Sequence, residues 1–519
     1  MGEASNANLT MPAGSQMSQA EQALAGVVEA SEFKRKSVRG GAAAVMSQAG
    51  GMVLQIVTTI VLARLLSPTD YGLQAMVVTF TSFFSLFRDA GLSVAAVQRE
   101  KLTHEQISTL FWINVGLGTF LMVAVAAAAP LLVDFYKQPE LFGITIASST
   151  IFLLNSLAVQ HRALLDRSMR FTTGATIDIV SSIVGTIVAI GLAAMGFGYW
   201  SLIIQTISLY VVGTVAAWIV MPWRPGRPRW TPELRSMVRF GGTVTLNSVV
   251  VYIAYNTEKI LLGRFWGPAS LGLYGRAYQL GNLPVQQLTT SAGTVAFPML
   301  SRLQSDAPRL RRSYLKSHSL LVSLTIPVVI CCALFTEEIV SVVLGPKWNG
   351  TAPILRLLSP AILIFALMNP LSWLLRAIGL VERSLKIALF IAPVVILGVL
   401  AGLRHGPTGV AMGYSAAMIV LVVPLVAWAK HGTGITTADY LDCIKRPLLA
   451  GVAGGAAGWV FHSMVHGSMG TLLLLVTEVA ISFGVYMLLL LFVMGQKDLY
   501  LDLLGQIFRR SETAPQPSS

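Results

Sequence analysis

Ionisable side chains are scarce inside the apolar stretches of this 519-residue chain, and those few are where chemistry could reside. Arg88 and Asp89, Asp178, Glu258 and Lys259, Arg276, Arg356 and Glu478 each interrupt a run that is otherwise apolar. A charge in hydrocarbon costs about 2.5–3.5 kcal/mol on insertion scales, so each is a functional candidate by default. The arginine guanidinium is a planar fork that matches phosphate or carboxylate oxygens. Arg88, Arg276 and Arg356, facing a common cavity, would hold an anionic cargo, and Asp89, Asp178 and Glu258 could carry a coupling proton or sodium ion.

A second reading stays open for each. Arg88 stands beside Asp89 and Glu258 beside Lys259, although neighbours on one helix do not face each other and would need partners elsewhere. Asp178 shares a small, polar face with Gly174, Ser181 and Ser182, the kind that packs on another helix. Glu478 reads as a helix-contact residue. Arg64 and Arg264 fall at span ends, where long basic side chains ordinarily snorkel to the interface, or could receive a headgroup at the mouth of a cavity.

The elements that must position these residues are membrane helices. Hydrophobic residues make up 54% of the chain and charged residues 12%, mean hydropathy is +0.68, and a soluble chain would carry about 25% charge. A hydrocarbon core of roughly 30 Å needs about 20 apolar residues per helix. Such runs lie near 42–66, 72–98, 107–133, 141–165, 173–195, 199–220, 238–263, 270–297, 317–344, 353–375, 385–404, 407–429, 447–466 and 470–494. The expected fold is all-α and integral to the membrane, with about 14 spans.

The net charge of +13 would suggest nucleic acid in a soluble protein. Here most Lys and Arg residues fall at alternate connections instead, which predicts both termini in the cytoplasm and excludes a nucleic-acid patch. Trp200, Trp218, Trp223, Trp266 and Trp348 fall at expected interfaces. The three cysteines, Cys331, Cys332 and Cys443, build neither a disulfide framework nor a metal site. The reading therefore includes no metal, no cofactor and no catalytic residue.

An internal repeat organises the chain. Val38-Arg39-x-Gly41 recurs as Val238-Arg239-x-Gly241, and the same offset of 200 pairs Leu62 with Leu262, Arg64 with Arg264, Pro68 with Pro268, Gly72 with Gly272 and Leu73 with Leu273. Six spans separate the copies, so the halves are parallel repeats around a central cavity. The expected layout is a disordered cytoplasmic tail (1–37), an N-lobe (38–220), a basic linker (221–237), a C-lobe (238–430), two appended spans (431–495) and a cytoplasmic C-terminal tail (496–519).

Two stretches resemble a known family. Asn256-Thr257-Glu258-Lys259-Ile260-Leu261-Leu262-Gly263-Arg264-Phe265, continuing through Gly267, Leu271-Gly272, Tyr274, Arg276-Ala277 and Pro284, is similar to the seventh-to-eighth helix signature of bacterial polysaccharide flippases. Leu62 to Gly72 resembles their first-helix exit. These belong to the multidrug/oligosaccharidyl-lipid/polysaccharide exporter superfamily, and Glu258 stands where the family usually has Asp. The resemblance implies alternating access by two six-helix lobes in the inner membrane, with an undecaprenyl-pyrophosphate-linked oligosaccharide as cargo for exopolysaccharide or O-antigen assembly. It further implies a monomer working beside a polysaccharide polymerase and a chain-length regulator. Two alternatives stand: a multidrug or cation antiporter of the same superfamily, which would favour an acidic, aromatic-lined cavity, and a membrane-bound glycosyltransferase or ligase. The latter needs a sizeable extramembrane loop bearing carboxylates and histidines, and the longest expected connections hold about 20 basic-leaning residues.

Overall fold

The computed structural model describes residues 50–87, 103–228, 252, 256–465, 469–497 and 500. Arg88, Asp89, the N-terminal tail, nearly all of the C-terminal tail, the end of the linker and the Val38 and Val238 repeat openings lie outside the described residues.

Among the described residues every regular element is helical. The helices are α1 (Gly50–Leu65), α2 (Pro68–Ser85), α3 (His104–Ala127), α4 (Ala129–Tyr136), α5 (Leu141–Arg167), α6 (Phe171–Ala194), α7 (Trp200–Val220), α8 (Thr257–Arg302), α9 (Ala307–Leu334), α10 (Thr336–Val343), α11 (Thr351–Ala377), α12 (Val381–Gly402), α13 (Gly406–Lys430), α14 (Thr437–Val465) and α15 (Thr471–Leu488). Each of the fourteen apolar runs overlaps one of them. Two runs are broken short of their expected ends. Pro130 opens α4 as a separate helix that closes on Lys137 in the left-handed conformation (φ 58°), and a turn at Phe335 separates α10 from α9.

The duplication is visible in the packing. In the first half α3 lies on α5, α5 on α7 and α6 on α7; in the second, α9 lies on α11, α11 on α13 and α12 on α13. The last two helices pack on each other, with α14 also against α9 and α15 against α10. Glycine permits the closest contacts: Gly398 and Gly402 of α12 meet Gly413 and Gly409 of α13 so tightly that a Cβ at any of the four would lie 2.0–2.5 Å from opposing backbone. In lipid, such small-residue contacts supply the van der Waals packing that hydrophobicity cannot.

The halves join where α2 crosses α8. A Cβ on Gly72 would lie 1.7 Å from the carbonyl oxygen of Pro268, and one on Gly272 would lie 1.9 Å from that of Pro68. The four residues paired by the offset of 200 therefore meet each other reciprocally, as a pseudo-two-fold axis requires. Leu62 (2% exposed), Leu73 (3%), Leu262 (0%) and Leu271 (1%) are buried beside the crossing.

Each half turns an elbow here, in different ways. Ser67 caps α2 in a capping box, with the Asp70 N–H donating to Ser67 Oγ (3.3 Å) and the Ser67 N–H to Asp70 Oδ2 (2.9 Å), and Pro68 sits in the first turn. The second half instead passes through Gly267 (φ 75°, ψ −179°), with nothing within 4 Å of its would-be Cβ, before Pro268 restarts the helix.

Two of the tryptophans expected at headgroup depth are buried within the protein. Trp348 is 0% exposed and donates its indole N–H to the Ala63 carbonyl oxygen (2.8 Å). Trp223 is 2% exposed and donates to His104 Nδ1 (3.2 Å). Beyond it, the Gly226 N–H donates to Ser108 Oγ (2.9 Å) and the Trp112 indole N–H donates to the Gly226 oxygen (2.9 Å), so the first residues of the linker are strapped to the first half.

Gly72→Ala and Gly272→Ala are each expected to destabilise the protein by about 1–3 kcal/mol or more, the usual cost of overpacking. Gly275→Ala, a neighbouring helical position with open space at its Cβ, should be neutral or slightly stabilising. Thermal unfolding of the three purified variants checks this; equal melting temperatures would show that the crossing is not tight.

Candidate functional site

Below the crossing the halves enclose polar space. A cavity of about 330 Å³ is walled by Gln55, Thr58 and Thr59 of α1, Gln74 of α2, Ser182 and Thr186 of α6, Gln205 of α7, and Arg276 and Gln279 of α8. It continues through Gln55 and Gln279 into a space of about 480 Å³ along Asn282, Gln286, Gln287 and Thr290. That space shares Tyr278, Asn282, Gln286 and Thr290 with a third, of about 550 Å³, which reaches Thr294, Phe297, Asn369, Trp373 and Arg376. Near Arg276 both halves form the wall, whereas near Phe297 the described lining comes only from α8 and α11.

One helix does most of the lining. Tyr278, Asn282, Gln286, Thr290 and Thr294 recur every fourth residue and fall on one face of α8. From Arg276 to Phe297 this face runs roughly 30 Å at 1.5 Å per residue. Amides and hydroxyls dominate, and the aromatic walls are Tyr71, Tyr278, Phe297, Phe365 and Trp373. Among the described lining residues there is no carboxylate. The charged groups are Arg276 at the closed end and Arg376 at the other.

Arg276 is held by an aromatic ring and a neutral amide. Its guanidinium carbon lies 3.8 Å from the centroid of the Tyr71 ring, close enough for a cation–π contact, and its Nη1 donates to Gln279 Oε1. Tyr71 is fixed in turn by an edge contact with Trp348 at 5.3 Å. Arg376 Nε donates to the Ser372 carbonyl oxygen (3.2 Å), with the guanidinium 5.9 Å from the Phe297 ring. The spacing of Asn369, Trp373 and Arg376 along one helical face is the sequence signal for the place of Arg376 in the cavity.

The other sequence candidates lie elsewhere. Arg356 donates to Thr336 Oγ1 (3.0 Å) and approaches Glu337 Oε1 at 3.4 Å, away from the cavity lining. Asp178 pairs with Arg162 at 2.7 Å, both side chains substantially exposed. Glu258 is 5% exposed, with Oε2 buried and without a hydrogen-bond partner. Beside it, Lys259 donates to Asn256 Oδ1 (2.9 Å), with Nζ 5.9 Å from the Tyr278 ring on the cavity wall.

Arg64 and Arg264 each reach across to the short helix of the opposite half. Arg64 Nη2 donates to the Val342 oxygen of α10 (2.9 Å), and the Arg264 guanidinium lies 5.9 Å from the Phe135 ring of α4. They stand at the end of the molecule where the halves are closed.

Comparison with known proteins agrees with this architecture. Residues 61–353, more than half of the chain, match the family described as polysaccharide biosynthesis protein. The chain is 25% identical over 405 residues to the lipopolysaccharide biosynthesis protein WzxC of Escherichia coli K12, covering 76% of this chain and 81% of that protein. It is 27% identical over 454 residues to the teichuronic acid biosynthesis protein TuaB of Bacillus subtilis 168, covering 84% and 92%. Among solved structures it superimposes on the lipid II flippase MurJ in its inward closed conformation with a TM-score of 0.69, at 16% identity, over 90% of this chain and 100% of that one.

Exposed ion pairs contribute little, about 0–1 kcal/mol. Arg356→Ala and Asp178→Asn should therefore each shift stability by less than about 1 kcal/mol and leave transport within about twofold. A tenfold loss of transport in either, at normal abundance, would return that residue to the functional site.

Proposed function

The chain belongs to the polysaccharide biosynthesis protein family, and from that premise we propose that it translocates a lipid-linked oligosaccharide across the cytoplasmic membrane by alternating access. Membership and the relatives make it a multi-pass membrane transporter of polysaccharide biosynthesis rather than an enzyme. The finer reading is an undecaprenyl-pyrophosphate-linked repeat unit destined for exopolysaccharide or O-antigen. The observation that carries it is the long cavity lined by amides, hydroxyls and aromatic faces, with arginine at both ends and no carboxylate among its described residues.

Each part of that lining has a counterpart in such a cargo. Sugar hydroxyls both donate and accept, as do Asn and Gln side chains, and apolar sugar faces suit Tyr278, Phe365 and Trp373. Arg276 and Arg376 match a pyrophosphate or an acidic sugar through charge-assisted, forked hydrogen bonds. A multidrug or cation antiporter would need the opposite polarity.

With both termini in the cytoplasm, the α2–α8 crossing closes the periplasmic side and the cavity faces inward. Outward opening then requires Gly72 and Gly272 to part, releasing Arg64 from α10 and Arg264 from α4. Glu258, buried beside the crossing helices, is the residue of choice for a coupling proton or sodium ion, with Asp89 the further candidate. A monomer acting beside a polymerase and a chain-length regulator completes the reading.

Cells lacking the protein should accumulate lipid-linked repeat units accessible only on the cytoplasmic leaflet. Complementation with Arg276→Ala should lower export at least about tenfold at normal protein abundance, in line with the loss of one or two charge-assisted hydrogen bonds, and Arg276→Ala with Arg376→Ala should abolish it. Normal export and normal outer-leaflet intermediates in the double variant would exclude the cavity as the cargo path.

A further inference from the structure

A second cluster of chemically capable side chains lies outside the cavity, where the last two helices meet α10. His462 of α14, Glu478 of α15 and Glu338 of α10 bring one donor atom each to within 4.8 Å of one another. His462 Nδ1 lies 2.6 Å from Glu478 Oε1 and 3.6 Å from Glu338 Oε1. The two carboxylates are 0% and 6% exposed, respectively.

The packing around the cluster is built to bring these groups together. Gly458 sits one turn before His462, and a Cβ there would lie 2.0 Å from Ser482 Oγ, 2.9 Å from Phe335 Cζ and 3.2 Å from the backbone carbonyl oxygen of Glu478. Only glycine lets α14 approach both neighbours so closely. The Glu338 carboxylate, more than nine-tenths buried, accepts no hydrogen bond from any described residue; its one polar approach, His462 at 3.6 Å, is too long to be one. The adjacent Glu337 turns away and takes Arg356.

We propose that Glu338, His462 and Glu478 form a divalent metal site of zinc type that fastens the last two helices to α10. Imidazole nitrogen with carboxylate oxygens is a donor set zinc accepts, at about 2.0–2.2 Å from the ion, which sets tetrahedral donors about 3.4 Å apart. The observed separations require adjustments of roughly an ångström or less at the two measured contacts. The partly exposed His462 edge, 23% accessible, gives the ion its entry. The expectation of no bound metal considered the cysteines alone, and this site uses none. Because α10 also receives Arg64 at Val342, the metal would brace the helix on which the first half closes.

The full-length protein, stripped with a chelator in detergent, is loaded with Zn2+ alone, desalted and analysed for metal content and thermal unfolding. One retained zinc per chain and a raised unfolding temperature are expected. Glu338→Gln and His462→Asn should each weaken retention about 100-fold or more, and Glu337→Gln should not change it. Wild-type protein retaining no more zinc than His462→Asn, or retention untouched by Glu338→Gln, would overturn the site and leave a proton-sharing carboxylate pair in its place. Zinc-edge absorption of the loaded wild-type protein decides the matter even if the variants fold poorly: one nitrogen with two or three oxygens near 2.0–2.2 Å supports the site, and sulfur or water-only coordination refutes it.

Discussion

The backbone contact between Pro68 and Gly272, reciprocated by Pro268 and Gly72, is the constraint on which the rest of the molecule depends. Lipid offers no hydrophobic incentive for one helix to leave it for another, so two halves of a membrane protein hold together only where their surfaces fit at atomic range. Two glycines and two prolines provide that fit at one end of the α2–α8 pair. The polar space beyond lies along the same helix: α8 carries Arg276, Gln279 and Asn282 on the lining, within three turns of Gly272, which is pinned to α2.

Polar side chains in a membrane protein must find partners or water. Along α8 their concentration on one face marks a surface that hydrocarbon never touches. The opposite solution operates on the peripheral helices, where Arg162 meets Asp178 and Arg356 meets Glu337. Among the described residues, Arg162 and Arg356 are thus neutralised pairwise between helices, whereas Arg276 and Arg376 face the interior space. Arg276 is held by an aromatic ring and a neutral amide, those of Tyr71 and Gln279, so no carboxylate among its described contacts offsets its charge.

Much of this was legible in the sequence because membrane helices and repeats are written in one dimension. The spans follow from runs of apolar residues, and the pairing of Pro68 with Pro268 and Gly72 with Gly272 from a constant offset. What the offset could not convey is that paired residues would touch, since a repeat does not specify where its axis passes. The location of Arg276 on the polar space follows from its place in an apolar run, but Arg356, equally apolar in its surroundings, is claimed by Glu337 from a different helix. Such partnerships depend on packing angles and have no signature in spacing. Arg376 illustrates the reverse: it closes an apolar run as an interfacial charge would, yet it shares a helical face with Trp373 and Asn369, three and seven residues earlier. The cluster of Glu338, His462 and Glu478 joins residues from three helices and up to 140 positions apart, beyond any local pattern.

The two elbows beside the crossing began as copies and no longer behave as copies. In the first, a serine and an aspartate latch the turn through reciprocal hydrogen bonds; in the second, Gly267 turns through a left-handed conformation with empty space around it. A duplicated gene supplies two identical elbows, and here one is latched by its own side chains while the other rests on the backbone freedom of a single glycine. The inherited symmetry therefore governs how the halves fit, while the accumulated asymmetry sets how stiffly each one turns.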